Sequence, residues 1–190
     1  MENFNCDSYC GIYCGACDIM RTFKTGEKSR LAAFWDERTV KTFQHKLGIG
    51  YDDNRPFTYE CHGCKSDMLF VNCAVCQIRQ CAINSKVEHC IDCEKYPCNL
   101  IADSKKIEKI LPHLKSNPGN METIKRSGVS QWLSEQENKW KCPACGKSFS
   151  WYTRKCKNCG QDLKKVTFKY SFWKSALLKM SIKFSSGKQK

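Results

Sequence analysis

A small, metal-stabilised α+β fold is what this sequence predicts, and three observations predict it. Sixteen of the 190 residues are cysteines, most of them in Cys-x2-Cys pairs. The hydrophobic fraction of 41% counts those cysteines, so the aliphatic core is thinner than that figure implies. Between the cysteine pairs the apolar residues recur in short helical patterns, with one alternating stretch near the end. The expected layout is a cysteine-rich zinc-knuckle core with short helices over residues 1–100, then a helical connector over 101–138. A C-terminal zinc ribbon over 139–165 and a basic amphipathic tail over 166–190 complete it.

No basic stretch leading into an apolar one follows Met1, and no apolar run approaches the ~18 residues of a membrane span. The sequence therefore reads as cytoplasmic, without a transmembrane segment. In a reducing compartment dense Cys-x2-Cys pairs point to metal ligation before disulfides. Sixteen thiols suffice for about four closed tetrathiolate zinc sites.

The opening, Cys6-x3-Cys10-x3-Cys14-x2-Cys17, carries enough thiols for one site, and the glycines after Cys10 and Cys14 permit tight turns. Cys10-x3-Cys14-x2-Cys17 is also the spacing of radical-SAM iron–sulfur enzymes, which makes an iron–sulfur or redox protein the alternative reading. A barrel for that chemistry needs about 200 residues or more. Here the next cysteine pair arrives after only 43 residues. Over residues 18–60, Leu31, Phe34 and Trp35 form one helical face and Val40, Phe43 and Leu47 another, rotated by roughly 130° at 100° per residue. Two short helices fit better than one. His45 reads as a packed or solvated side chain.

From Cys61 to Cys98 the chain holds eight cysteines, and Cys73-x2-Cys76-x4-Cys81 recurs as Cys90-x2-Cys93-x4-Cys98. Each Cys-x2-Cys places two sulfurs on one tight turn, so two turns close one tetrahedral site. A sequential partition takes Cys61, Cys64, Cys73 and Cys76 for one site and Cys81, Cys90, Cys93 and Cys98 for another. Crossed pairings, or a site mixing Cys14 and Cys17 with a later pair, satisfy the same arithmetic. His62 and His89 read as neighbours of the ligands, and Arg79, Lys65 and Lys86 as candidate counter-charges.

The motifs Cys10-Gly-Ile-Tyr-Cys-Gly-Ala-Cys17, Cys61-His-Gly-Cys64, Cys73-Ala-Val-Cys-Gln-Ile-Arg-Gln-Cys81-Ala and Val87-Glu-His-Cys-Ile-Asp-Cys-Glu-Lys-Tyr-Pro-Cys98 together resemble a prokaryotic cysteine-rich family known only as a domain of unknown function. The resemblance covers roughly residues 6–100, with a looser echo through Trp132, Trp140 and the last cysteine pairs. It implies a zinc-type binding module and no activity. Cys6 is additional to its pattern.

In the connector, Ile107, Ile110, Leu111 and Leu114 predict an amphipathic helix over residues 104–115, kinked at Pro112. Asn117-Pro-Gly-Asn120 reads as a turn. A second helix over 121–138 carries Ile124, Trp132 and Leu133 inward, with Gly128 as a joint. No Ser/His/Asp set, paired acids or glycine-rich phosphate loop appears, so the reading is non-catalytic.

Cys142-x2-Cys145-x10-Cys156-x2-Cys159 is the spacing of a zinc ribbon, with a short hairpin expected through Phe149, Trp151 and Tyr152. Rubredoxin-like iron is the rival occupant. Val166, Phe168, Tyr170 and Phe172 alternate as a strand would. Trp173, Ala176, Leu177, Met180 and Phe184 then share one helical face, flanked by Lys174, Lys179 and Lys183.

Charge divides the chain sharply. Residues 1–138 hold 18 basic and 18 acidic side chains, whereas 139–190 hold 14 basic ones and a single acid, Asp162, so the whole formal charge of +13 lies at the end. Three tetrathiolate zinc sites before residue 139 and one after would leave about −6 and about +11. The function expected is a non-catalytic zinc-binding protein whose C-terminal module binds nucleic acid, RNA ahead of duplex DNA. Lys147, Trp151, Tyr152, Arg154, Lys155, Lys157, Lys164, Lys165, Lys169 and Lys174 would combine phosphate contact with base stacking. A zinc-scaffolded adaptor docking a partner protein or an anionic membrane surface is the further alternative.

Overall fold

The computed structural model describes residues 3–169 apart from 47, 49, 55 and 110. Within them the protein is mostly helical, with α1 Asp18–Thr25, α2 Arg30–Phe34, α3 Glu37–Lys46, α4 Val71–Ala74, α5 Gln77–Asn84, α6 Asn99–Lys106, α7 Asn117–Ser127 and α8 Val129–Lys139. Single 3-10 turns occur at Cys14–Ala16, Cys90–Asp92 and Pro112–Ser116. None of the helices among the described residues is long and apolar enough to cross a membrane.

The β half of the expected α+β fold is absent among the described residues, which contain only two isolated bridges, Lys141↔Ser148 and Lys155↔Asp162. The physical reason lies in how the backbone between the last two cysteine pairs is engaged. The Trp151 N–H donates to the Ala16 carbonyl at 3.2 Å, and the Phe168 N–H to the Trp151 carbonyl at 2.8 Å. Groups that a hairpin through Phe149–Tyr152 would pair with each other are thus committed elsewhere. Val166 and Thr167 turn back onto the Leu163 carbonyl, so the alternation beginning at Val166 does not start a strand. Tyr170, Phe172 and the helical face over 173–184 lie outside the described residues.

Helix placement follows local capping. The Ser29 hydroxyl accepts the Ala32 N–H at 3.1 Å to start α2, and Gly26, at φ +71, ends α1 in the left-handed conformation that glycine adopts without cost. The helix expected over 104–115 sits earlier, as α6, and stops at Lys106. Pro112 opens a separate 3-10 turn rather than kinking a continuous helix. Asn117-Pro-Gly-Asn120 forms the first turn of α7, because proline in that turn withholds an N–H that has no helical acceptor anyway. Gly128, at φ +81, separates α7 from α8.

Two cores result. One gathers Ile19, Ala32, Val40, Cys61 and Phe70, with Trp35, Phe57 and Tyr59 around them. The other joins segments far apart in sequence: Tyr13 and Ala16 from the opening, Met121 and Ile124 from α7, Trp132 from α8, and Trp140, Phe149, Trp151 and Leu163 beyond it. Trp132 is fully enclosed, its ring edge-on to Tyr13 at 6.2 Å.

His113 seals this second core, stacked on Trp151 at 3.9 Å, with Nδ1 2.6 Å from the Tyr152 hydroxyl. Burial lowers its pKa from 6.5 to about 3, so the folded ring is neutral and accepts that hydroxyl. As pH falls below 6.5 the unfolded chain takes up a proton that the folded chain refuses, so stability is lost between pH 6.5 and 3. Between pH 7.5 and 5.5 this amounts to about 1.4 kcal/mol. Urea unfolding at both pH values should therefore show a pH penalty smaller by that amount in His113→Phe than in the wild type. Identical penalties would contradict the buried neutral ring.

Candidate metal centres

The two C-terminal cysteine pairs sit on turns built alike, displaced from each other by 14 positions, 142 to 156. In each, the first cysteine donates its N–H five residues ahead, Cys142 to the Lys147 carbonyl at 3.0 Å and Cys156 to Gln161 at 2.8 Å. The glycine after each second cysteine donates back, Gly146 to Cys142 at 2.8 Å and Gly160 to Cys156 at 2.9 Å. Both glycines have positive φ, +70 and +77, which a side chain would resist. One level out, Phe149 N–H reaches the Trp140 carbonyl and Leu163 N–H the Arg154 carbonyl.

Facing each other, these turns bring the Cys142, Cys145, Cys156 and Cys159 sulfurs all within 4.8 Å of one another. Two of the separations, Cys142 to Cys159 and Cys145 to Cys156, are 3.6 Å each. A tetrahedral ion with sulfur bonds of about 2.3 Å sets its ligands about 3.8 Å apart, so the set could hold a metal ion with little adjustment. Its electrostatics suit one. Cys145 is drawn down to about 6, first by the Lys147 backbone N–H and then by the Asn158 side chain. The Cys159 and Asn158 backbone N–H groups likewise lower Cys156. Against the Gln161 N–H, the Cys145 and Cys142 thiols hold Cys159 up at about 12. Four thiols this close cannot all ionise unless a cation joins them.

All sixteen cysteines are free thiols, and the other twelve precede residue 100. A family model for proteins of unknown function, DUF3795, matches residues 6–103, which is more than half of the chain. The chain belongs to this family. No curated protein and no solved structure matches it.

Inside the DUF3795 region the thiols are sorted in a crossed rather than a sequential order. Cys17 and Cys73 pack with Cys61 in the first core described above. The hydrogen bond from Cys73, more than any other influence, draws Cys61 down to about 6. Cys73 is raised by that bond, then by burial and by the neighbouring Cys17 and Cys14 thiols. Cys64 stands between two groups: burial first, then Cys10 and Cys76, push it up to about 12, and it is in turn the foremost charged neighbour of the buried Cys14 thiol, while Cys10 rises to about 12 through burial, Cys76 and Cys90. Cys81, Cys90, Cys93 and Cys98 line one cavity of about 30 Å³ with almost wholly apolar walls. The Cys6 thiol lies elsewhere, raised by burial, with Lys24, Tyr13 and Glu137 as its neighbours. Among the described residues the C-terminal quartet is the one set whose sulfurs all fall within 4.8 Å; the DUF3795 thiol groups are more open.

A buried ion network pins the opening loop of the DUF3795 region to its centre. Asp7 meets Lys65 at 2.6 Å and the His89 Nε2 at 3.0 Å. Burial works against the Asp7 carboxylate, but His89 and Lys65 more than offset it and its pKa is lowered. Nothing in the spacing of Asp7, Lys65 and His89 announces their meeting, and the sequence reading missed it. His62 stacks on Phe4 at 4.9 Å, and Arg79 donates Nε to the Cys64 carbonyl at 2.9 Å.

Of the residues expected to contact nucleic acid, Lys147, Lys155, Lys157, Lys164, Lys165 and Lys169 are exposed, with Lys157 paired to Glu27 at 2.6 Å and Lys164 to Asp162 at 3.0 Å. Arg154 and Tyr152 are half-buried, and Lys174 lies outside the described residues. The base-stacking role expected of Trp151 is corrected: its indole is 6% exposed and its face is covered by His113. A cleft of about 510 Å³ separates α1 from the C-terminal turns, and Arg21, Lys24, Lys147 and Lys157 line it together with Asp18 and Glu27.

Proposed function

We propose that the protein is a non-catalytic, zinc-type metal scaffold whose C-terminal four-cysteine module, a zinc ribbon by its spacing and its paired turns, binds single-stranded nucleic acid, RNA foremost. The observation that carries this reading is the distribution of charge. The last 52 residues carry all of the net +13, and two of their exposed lysines, Lys147 and Lys157, line a cleft whose far wall adds Arg21 and Lys24 beside Asp18 and Glu27. With Trp151 enclosed, phosphate contact takes the place of base stacking as the source of affinity, which favours sequence-tolerant, strongly salt-dependent binding.

Zinc suits the four cysteines because two thiolate pairs on tight turns match its closed tetrahedral preference. When bound, the ion supplies charge neutralisation and cross-linking. The iron–sulfur alternative needs Cys10, Cys14 and Cys17 around one cluster, whereas Cys10 faces Cys76 and Cys90 and Cys17 faces Cys61.

The full-length protein is the material for the test, since the C-terminal turns share a core with the opening segment. Fluorescence anisotropy with a labelled single-stranded RNA should show binding at about 50 mM salt that weakens by at least tenfold at about 200 mM. Replacing Lys147, Lys155 and Lys165 by glutamate should abolish it. Binding that is absent at the lower salt, or unchanged in the triple variant, rules the reading out.

A further inference from the structure

The cleft of about 510 Å³ between α1 and the C-terminal turns holds a carboxylate that the fold leaves half-paired. Asp18 stands in its wall and is 2% exposed. One oxygen, Oδ1, accepts the Ser150 hydroxyl at 3.0 Å. The other, Oδ2, is buried and meets no hydrogen-bond partner. The Ser29 hydroxyl favours the carboxylate from nearby, but it caps α2 by taking the Ala32 N–H and closes no bond to Oδ2. A buried acceptor left unpaired is destabilising, and a donor supplied by a ligand removes that penalty.

The proton directions around Asp18 fix what kind of group that ligand presents. Thr153 Oγ1 accepts the Ser150 N–H at 3.2 Å and lies 3.0 Å from Ser150 Oγ. Because Ser150 gives its own proton to Asp18, the Thr153 hydroxyl is the donor in that contact. The Thr25 hydroxyl donates to the Arg21 carbonyl at 2.8 Å. These hydroxyl protons are committed within the protein, and the capacity left open at Asp18 is that of an acceptor. The mouth of the cleft is the reverse. Lys24 and Lys147 are exposed there, and Lys157 reaches across to Glu27 at 2.6 Å. A ligand that fits both ends enters with its N–H donors first and keeps its anionic part outside.

We propose that the cleft takes one nucleotide of the bound strand, with the Watson–Crick edge of guanine on the Asp18 carboxylate and the flanking phosphates on Lys24 and Lys147. Guanine presents two adjacent donors, N1–H and the N2 amine, to the two carboxylate oxygens. Adenine and cytosine set a ring-nitrogen acceptor beside their single amine, and uracil flanks its N3–H with two carbonyls, so each of them turns an acceptor on the carboxylate. The cleft volume lies in the range of small-molecule sites. A strand otherwise held through its phosphates is thereby read at one position. The inference rests on the RNA reading above and names the base that this site selects.

The test is fluorescence anisotropy of the full-length, metal-loaded protein at about 50 mM salt, with labelled oligouridine and the same strand carrying one central guanosine, adenosine, cytidine or inosine. The guanosine strand should bind about tenfold more tightly than the others, the discrimination of a bidentate base contact. Inosine keeps N1–H but lacks the N2 amine, so its strand should lose most of that gain, a comparison made on the wild type alone. Asp18→Asn should bind all five strands as the wild type binds oligouridine. Guanosine and oligouridine strands bound equally, or a guanosine preference that persists in Asp18→Asn, folded by circular dichroism, would overturn the inference and leave RNA binding in place. Guanosine monophosphate that competes as tightly as the guanosine strand binds would overturn it too, since the cleft would then serve a free nucleotide. No binding of any strand would defeat the RNA reading itself.

Discussion

With the proposed ion in the C-terminal quartet, its removal should unfold the tryptophan core, not the two turns alone. Cys142 and Cys156 are 2% and 4% exposed and belong to the same core as Trp132, Trp140 and Trp151. Structural zinc in small domains contributes about 10–16 kcal/mol, as much as or more than the roughly 5–15 kcal/mol by which a whole domain is stable. Cys156→Ser should therefore lose one ion and shift tryptophan emission to the red. Helicity should fall in parallel, because α7 and α8 pack through Ile124 and Trp132 onto the affected side chains. Emission and far-ultraviolet circular dichroism followed across a chelator titration of the wild type should change together. A variant that loses its ion but keeps native emission and helicity would show that the turns fold independently of the core.

Gly63→Ala should also be damaging, by a smaller amount and for a reason unrelated to ligation. Gly63 has φ +114, and a methyl group built there would lie 1.8 Å from the Asn5 carbonyl oxygen. That oxygen has little freedom to retreat, because the adjacent Asn5 N–H donates to the His62 carbonyl at 2.7 Å. Backbone strain of about 1–2 kcal/mol adds to an overpacking penalty of about 1–3 kcal/mol, a combined loss of about 2–5 kcal/mol. Gly26→Ala is the control: φ is +71 there but nothing lies within 4 Å of the added carbon, so about 1 kcal/mol is expected. Urea midpoints of the two variants separate strain from contact. Equal losses would mean that the Asn5 contact yields freely.

The thiol turns were the most legible part of the sequence, because a Cys-x2-Cys turn is a local event. Cys142, Cys145, Cys156 and Cys159 could be grouped from spacing alone, and the structure brings them together. The helical faces at Leu31–Phe34 and Val40–Phe43 were legible for a similar reason, as periodicity needs only neighbouring residues. Long-range pairing was not. That Cys61 packs with Cys73 and Cys17 depends on how the opening loop crosses the centre, and no pattern encodes a crossing. His113, which no pattern singles out, is buried. Trp151 misled because an aromatic between lysines reads alike whether its ring meets a base or a histidine. The missing hairpin is a failure of the same sort: the acceptor of the Trp151 N–H is Ala16, 135 positions away.

That distant contact governs the order in which the molecule can be assembled. Tyr13 and Ala16 leave the ribosome well ahead of Trp151 and Leu163, which complete their core. At about 5–20 residues per second, roughly seven to thirty seconds separate the two halves of this core. During that interval the thiols near Tyr13 are already in the cell, while the side chains that will bury their surroundings have yet to be made. Vectorial synthesis therefore leaves Cys6, Cys17 and Cys90, the earlier cysteines that pack against this core, a period of open access, when metal can be acquired and when oxidants compete for the same sulfurs. The arrival of the Cys142 and Cys156 pairs ends it.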